Sequence, residues 1–192
     1  MHYLKTPIAQ RAGFTLIEVL ISILVLSLGI IGAIKMQMIA IQTTQQSNYF
    51  STAVELATEM ADKMRGNDDQ MRSSSSLFLK VNFQASQDNI ESAATCFNVN
   101  CAPEQMAQSE IAEWLQQIRT ALPNARALIC RDDAPWDSGN QRLTWNCAAS
   151  GSKSSAVIKL GWTEKNEALQ TEQTGSVIPP PRLAIAVTPY TQ

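Results

Sequence analysis

The sequence predicts an α+β fold in which one long N-terminal helix packs on an antiparallel β-sheet. The helix is predicted because no proline occurs from Phe14 to Arg65, and because apolar residues dominate residues 14–34 and then recur at helical spacing. The sheet is predicted because short apolar runs, separated by turn-forming residues, follow Pro123. Connections this short favour antiparallel hairpins over parallel crossovers.

The first element is an apolar segment, residues 14–34, in which Glu18 is the only ionisable side chain. At about 1.5 Å per residue, a helix of this length crosses a hydrocarbon core of about 30 Å. The preceding residues 1–13 carry Lys5 and Arg11 but no acidic side chain. The positive-inside rule therefore predicts a single-pass membrane protein with a cytoplasmic N-terminus and a C-terminal part on the other side of the membrane.

An ordinary secretory signal is cleaved after its apolar run. Here the candidate cleavage residue, Gly13, comes before the apolar run. Cleavage after Gly13 would remove residues 1–13 as a leader and leave the helix on the mature protein. A carboxylate such as Glu18 is costly in lipid unless it is paired. Cleavage would supply a cation four residues away, the α-amino group of Phe14. The alternative is a plain membrane anchor that carries an acid near its cytoplasmic end.

Eight consecutive residues resemble the prepilin signature of type IV pilins and type II secretion pseudopilins, namely Gly13-Phe14-Thr15-Leu16-Ile17-Glu18-Val19-Leu20. The resemblance implies a pilin-like fold and processing by a membrane prepilin peptidase. This enzyme would cut after Gly13 and methylate the new N-terminus at Phe14. The resemblance also implies that Glu18 acts in assembly, as the partner of a neighbouring subunit's N-terminal amine.

The helical pattern continues as an amphipathic half over residues 35–66, and Gly66 with the turn formers Asn67 and Asp68 predicts its end. The remaining residues 67–192 are predicted to form a periplasmic globular domain. The apolar stripe expected to face this domain consists of Phe50, Val54, Ala57, Met60 or Ala61, and Met64.

A second amphipathic helix is predicted between Pro103 and Pro123, whereas residues 77–90 are only weakly patterned. Its apolar face contains Ile111, Trp114, Leu115, Ile118 and Leu122. Strands are predicted at 127–131, 142–147, 156–163 and 182–188, with the last strand at an edge of the sheet because prolines precede it.

The four cysteines, Cys96, Cys101, Cys130 and Cys147, all follow the membrane segment and would face an oxidising compartment. Of the three possible connectivities, local sequence favours Cys96 with Cys101, which bracket four residues of one loop. Local sequence also favours the pairing of Cys130 with Cys147, because these residues lie on neighbouring predicted strands. A four-cysteine zinc site is the alternative, but the spacings do not suit it.

No enzyme, cofactor or metal site is expected from the sequence. The only histidine, His2, lies in the leader, and no glycine-rich phosphate-binding motif occurs. The adjacent acids Asp132 and Asp133 follow a predicted strand and are expected to be solvated turn residues. The net charge of −2 disfavours nucleic acid as a partner, because there is no basic excess to displace counterions from phosphates.

Scattered features resemble the PilV group of minor pilins, namely Leu28-Gly29-Ile30-Ile31-Gly32, Met36-Gln37, residues 57–67, and Trp114 with Leu122-Pro123. The resemblance implies a minor pilin that joins other minor and major pilins in an initiation or tip complex and carries an adhesin-like partner. Twitching motility, cell adhesion and DNA uptake all remain open as roles of the pilus. The alternatives are a minor pseudopilin of a type II secretion system and a membrane-tethered periplasmic module for binding or adhesion.

Overall fold

The computed structural model describes residues 13–73, 75–90, 96, 99–151, 154–163 and 178–187. The predicted leader, apart from Gly13, lies outside the described residues, as does residue 188 of the last predicted strand. The described residues form three α-helices, α1 (Leu16–Gly66), α2 (Asp68–Arg72) and α3 (Pro103–Ala121), with a 3-10 turn at Phe78–Lys80. They also form six strands, β1 (Asn82–Gln84), β2 (Arg126–Arg131), β3 (Trp136–Asp137), β4 (Arg142–Leu143), β5 (Ala156–Gly161) and β6 (Pro181–Val187).

The main sheet is antiparallel throughout, in the order β1-β2-β5-β6, so the prediction of an α+β fold with a long N-terminal helix is confirmed. The last strand lies at an edge, as predicted. Strands β3 and β4 form a separate two-stranded sheet, with Trp136 opposite Leu143.

By its internal contacts the chain divides into two compact units, residues 1–45 and residues 46–192. In the first unit, residues 16–45 of α1 expose their apolar side chains on every face of the helix. The second unit begins within α1, earlier than the predicted boundary after residue 66. The reason is that the last turns of α1 supply core residues to this unit, namely Ala53, Leu56, Ala57, Met60, Ala61 and Met64.

The predicted stripe on α1 is correct in its C-terminal part and wrong at its start. Phe50 is 49% exposed and packs its ring edge against Trp162 rather than entering the core. Ala53 and Leu56, which the pattern did not select, are buried. On α3, the predicted face is the one that packs, with Trp114, Ile118 and Leu122 buried and Ile111 and Leu115 partly buried against them.

Residues on β5 alternate between two buried faces of the sheet, as the period of two requires. Ala156, Ile158 and Leu160 join the core formed with the helices. Val157 and Lys159 point to the opposite face and are also buried. A strand buried on both faces needs a second covering layer, and the connection between β2 and β5 supplies it.

The observed strands differ from the predicted ones in length and in number. The strand predicted at 142–147 ends at Leu143, because the carbonyl groups of Thr144 and Asn146 bind the Lys159 ammonium group instead of a neighbouring strand. Strand β1 was not predicted, since it is only three residues long in a weakly patterned segment. It forms by pairing with β2, which places Phe83 opposite Ala127 and buries both.

Candidate functional site

The predicted processing residues lie at the start of α1. Gly13 and Phe14 precede the helix, and the Phe14 side chain is 82% exposed. Thr15 takes the N-cap position, where its Oγ1 accepts a hydrogen bond of 3.4 Å from the backbone N–H of Glu18. The bond between Gly13 and Phe14 is therefore outside regular structure and adjoins a capped helix.

Glu18 lies in the first turn of α1 and is exposed. Within the described part of the chain, no ion pair involves its carboxylate. An acid in the first turn interacts favourably with the helix dipole, but this effect is worth less than 1 kcal/mol at an exposed site, on the order of 0.5. In lipid the carboxylate needs a stronger partner, and the structure brings no described cation to it.

The apolar part of α1 has the length and hydropathy of a membrane span. Its best window has a mean hydropathy of 2.6, and none of that window is buried within the chain. Large apolar side chains such as Leu20, Leu24 and Ile31 are each more than half exposed. A surface this apolar is stable only in lipid or against other apolar helices.

The structure contains two disulfides, Cys96–Cys101 and Cys130–Cys147, with S–S distances of 2.03 and 1.99 Å. These pairs coincide with the connectivity favoured by the sequence, although Cys147 lies beyond β4 and not on a strand. With all four sulfur atoms in disulfides, none is available as a zinc ligand. Among the described residues, no cluster of His, Cys, Asp and Glu has the geometry of a metal site.

A fully buried ion pair in the globular unit joins Asp132 to Lys159. Lys159 Nζ lies 2.5 Å from Asp132 Oδ2, and both side chains are completely buried. The ammonium group also donates to the carbonyl oxygens of Thr144 and Asn146, at 2.8 and 2.5 Å. This pair was not predicted from the sequence, because Lys159 interrupts an apolar strand and its partners come from a distant loop.

The expectation that Asp132 is a solvated turn residue is therefore wrong, while Asp133 is exposed. Burial raises the pKa of Asp132, but contacts with Lys159 and with the N–H groups of Ala134 and Ala148 outweigh it, and the pKa lies below the ordinary value. Asp133 accepts hydrogen bonds from the hydroxyl and backbone N–H groups of Ser150, which lower its pKa.

Two family models match consecutive parts of the chain. The model for the prokaryotic N-terminal methylation motif matches residues 8–34, and the model for the type IV pilin Tt1218 matches residues 35–112. No curated protein and no solved structure matches the chain. The two matches meet between residues 34 and 35, at the end of the predicted membrane segment.

The long apolar N-terminal helix and the antiparallel sheet define the α+β fold of a pilin. The chain is a type IV pilin-like protein that carries the prokaryotic N-terminal methylation motif. This confirms the resemblance to type IV pilins.

Proposed function

We propose that the protein is a minor pilin of a type IV pilus, similar to the PilV group, with a structural and not an enzymatic role. The observation that carries the proposal is the match to the methylation motif over residues 8–34, a range in which Gly13 and Phe14 directly precede an exposed apolar helix. Prepilin peptidase cuts after Gly13 and methylates Phe14. The subunit then stays in the inner membrane, its globular domain in the periplasm, until it enters the pilus.

Assembly depends on Glu18 in this proposal. The carboxylate has no partner among the described residues, and cleavage creates a positively charged N-terminal amine on each subunit. A charge-assisted bond between Glu18 and a neighbour's amine would be strong in a low-dielectric environment. Because it forms only at one axial offset, this bond sets the register between neighbouring helices in an initiation or tip complex.

Two glycines on α1 support lateral packing between helices. A Cβ atom added at Gly29 or Gly32 would meet no atom within 4 Å inside the chain, so the fold of the subunit itself does not require glycine at either position. Small residues let helix backbones approach closely in lipid. We therefore assign Gly29 and Gly32 to contacts with neighbouring pilin helices.

The test is the intact mass of the protein purified from a strain with an active prepilin peptidase. The expected chain starts at N-methylated Phe14, and Gly13→Val should leave the leader attached because the added side chain crowds the cleavage site. Gly29→Val is the matched control and should still be processed. An unprocessed Met1 terminus in the wild-type protein would contradict the proposal.

A second measurement separates a pilus from a secretion system, since pseudopilins share the processing step. Pili sheared from the cells are purified and analysed for the processed chain together with other pilins. Recovery in this fraction supports the pilus. Recovery only with secretion pseudopilins in the membrane fraction would assign the protein to a type II secretion system instead.

A further inference from the structure

The connection between β2 and β5 covers one face of the sheet. We call residues 132–151 the covering loop. They lie over the face opposite the helices, where Val157 and Lys159 are 2% and 0% exposed. Inside the loop, β3 pairs with β4, and the Thr144 N–H donates to the carbonyl oxygen of Pro135. The loop therefore has its own backbone order and is not a loose connection.

Cys147 is held in the covering loop by its two neighbours in sequence. The carbonyl oxygen of Asn146 accepts a hydrogen bond from Lys159 Nζ. The N–H group of Ala148 donates to Asp132 Oδ1 at 3.2 Å, and the Ala148 carbonyl accepts from the Asp133 N–H at 3.0 Å. The backbone on both sides of Cys147 is thus fixed by groups that do not include its sulfur atom.

Cys130 projects from the sheet toward the same place. It pairs with Val157 in the register between β2 and β5, and Lys159 lies two residues beyond Val157 on β5. Paired residues, and residues two apart on one strand, share a face of a sheet. The side chains of Cys130 and Lys159 therefore project from the same face, beneath the covering loop.

We infer that the Asp132–Lys159 ion pair holds Cys147 beside Cys130 before the disulfide forms, and so directs this pairing. The chemistry is thiol–disulfide exchange with a small-molecule disulfide oxidant. One cysteine thiolate attacks the oxidant and releases one reduced thiol. The second cysteine thiolate then attacks the mixed disulfide and releases the other, so that the oxidant gains the two electrons that the protein loses. The inference concerns the globular unit and does not depend on the proposed role in a pilus.

The ion pair and the disulfide are thermodynamically coupled in this arrangement. If the ion pair raises the effective concentration of one thiol near the other, the disulfide stabilises the ion pair by the same factor. Residues in one contact network are coupled strongly enough that loss of the ion pair should change the effective concentration of the thiols by a factor of about ten. Loss of the ion pair should therefore weaken the disulfide measurably without removing either cysteine.

The experiment uses the full chain in detergent with Cys96→Ser and Cys101→Ser, so that only Cys130 and Cys147 can pair. The reduced protein is equilibrated with mixtures of reduced and oxidised glutathione, and the oxidised fraction gives the effective concentration of the thiols. Lys159→Met should lower this value about tenfold. Ile158→Val, a mild change on the helix-facing side of β5, should change it less than twofold. If Lys159→Met left the effective concentration within twofold of that of the protein with only Cys96→Ser and Cys101→Ser, the inference would be overturned.

A second measurement does not require Lys159→Met to fold. In the full chain with Cys130→Ser and Cys147→Ser, the ion pair should persist and keep the Ala148 amide hydrogen protected from exchange with solvent. Protection comparable to that of the oxidised wild-type protein supports the inference. Rapid exchange at Ala148, with β2 and β5 still protected, would show that the disulfide holds the ion pair in place. That result would overturn the inference.

Discussion

The indole N–H of Trp114 on α3 donates a hydrogen bond of 2.8 Å to the backbone carbonyl oxygen of Leu56 on α1. The Trp114 side chain is fully buried, so the bond joins the two helices inside the core of the globular unit. A buried indole N–H without a partner would be costly, and the Leu56 carbonyl meets this need with its second lone pair. The bond therefore fixes both the distance and the register between α1 and α3.

Trp114→Phe should destabilise the globular unit by about 1–3 kcal/mol, because it removes this hydrogen bond and leaves a cavity where the larger ring was. Urea unfolding in detergent, followed by near-ultraviolet circular dichroism, measures the effect. Trp136→Phe is the matched control, since Trp136 is 54% exposed and should change the free energy of unfolding by less than about 0.5 kcal/mol. Equal effects of the two substitutions would disprove the role assigned to Trp114.

Asp132 should make the stability of the globular unit depend on pH in the acid range. Its pKa is lower in the folded state than in the unfolded chain, so the unfolded state binds more protons as the pH falls. The contribution of Asp132 is complete above the unfolded-state pKa of about 3.9 and is lost as the pH falls below it toward the lower folded-state pKa.

Asp132→Asn should therefore flatten the fall in stability below about pH 4 and lower the stability at pH 7, where Lys159 loses its charged partner. The free energy of unfolding is measured between pH 7 and the lowest pH at which the wild-type protein folds reversibly. Asp137→Asn is the control, because Asp137 also has a lowered pKa but lies at the end of β3, where its carboxylate accepts hydrogen bonds from Gly139 and Asn140 and not from Lys159. A pH profile of Asp132→Asn parallel to that of the wild type would contradict the prediction.

Gly161 lies where β5 passes close to the segment that leads into β6. A Cβ atom at this position would be 2.4 Å from the carbonyl oxygen of Pro180 and 2.7 Å from Trp145 Cζ2. These atoms have little freedom to move, since Trp145 Nε1 donates to the Pro179 carbonyl at 2.9 Å and the Arg126 guanidinium stacks on the Trp145 ring. The backbone at β5 and the approach to β6 thus meet without space for a side chain.

Gly161→Ala should consequently lower the free energy of unfolding by about 1–3 kcal/mol, the usual cost of overpacking. Gly151→Ala is the matched control, because a Cβ atom there would meet nothing within 4 Å. Thermal unfolding of both variants in the same detergent makes the comparison. A melting temperature of Gly161→Ala equal to that of Gly151→Ala would refute the argument from close approach.

The sequence predicted those parts of the fold whose signal is local. Helix α1 was predictable because the spacing of apolar residues and the lack of proline favour helix formation locally, within each turn. The N-terminal motif was predictable because it is a contiguous run of residues. The Asp132–Lys159 pair was not predictable, because Lys159 gains its partners from a loop that begins 27 positions earlier, as their residue numbers show. Strand β1 was missed for a similar reason, since three residues form a strand only when β2 provides the pairing.

The Cys130–Cys147 disulfide was predicted from local sequence, but its position depends on tertiary contacts. The pairing favoured by the sequence is the one in the structure, but the reason given for it, two neighbouring strands, is incorrect. Cys147 lies in the covering loop, where contacts of Asn146 and Ala148 with the ion pair position it. The sequence thus predicted the correct partner for an incorrect reason, because the position of Cys147 depends on tertiary contacts.

Glu18→Gln tests assembly separately from membrane insertion. The substitution keeps the size of the side chain and its place in the first turn of α1, but it removes the negative charge that would pair with a neighbour's N-terminal amine. Membrane insertion should be unchanged or slightly easier, since a neutral amide is less costly in lipid than a carboxylate. Association with other pilins should fall about tenfold or more, because a hydrogen bond to a charged group is worth about 1.5–3 kcal/mol.

The measurement combines membrane fractionation, co-purification with pilin partners from detergent extracts and a count of surface pili. Glu55→Gln is the matched control, since Glu55 is exposed on the same helix but lies beyond the predicted membrane segment. It should behave as the wild type in all three assays. N-terminal mass analysis of both variants shows whether the leader has been removed, so that a processing defect is not mistaken for an assembly defect. If processed Glu18→Gln enters pili at the wild-type level, the proposed register mechanism is wrong, and Glu18 acts only before assembly or not at all.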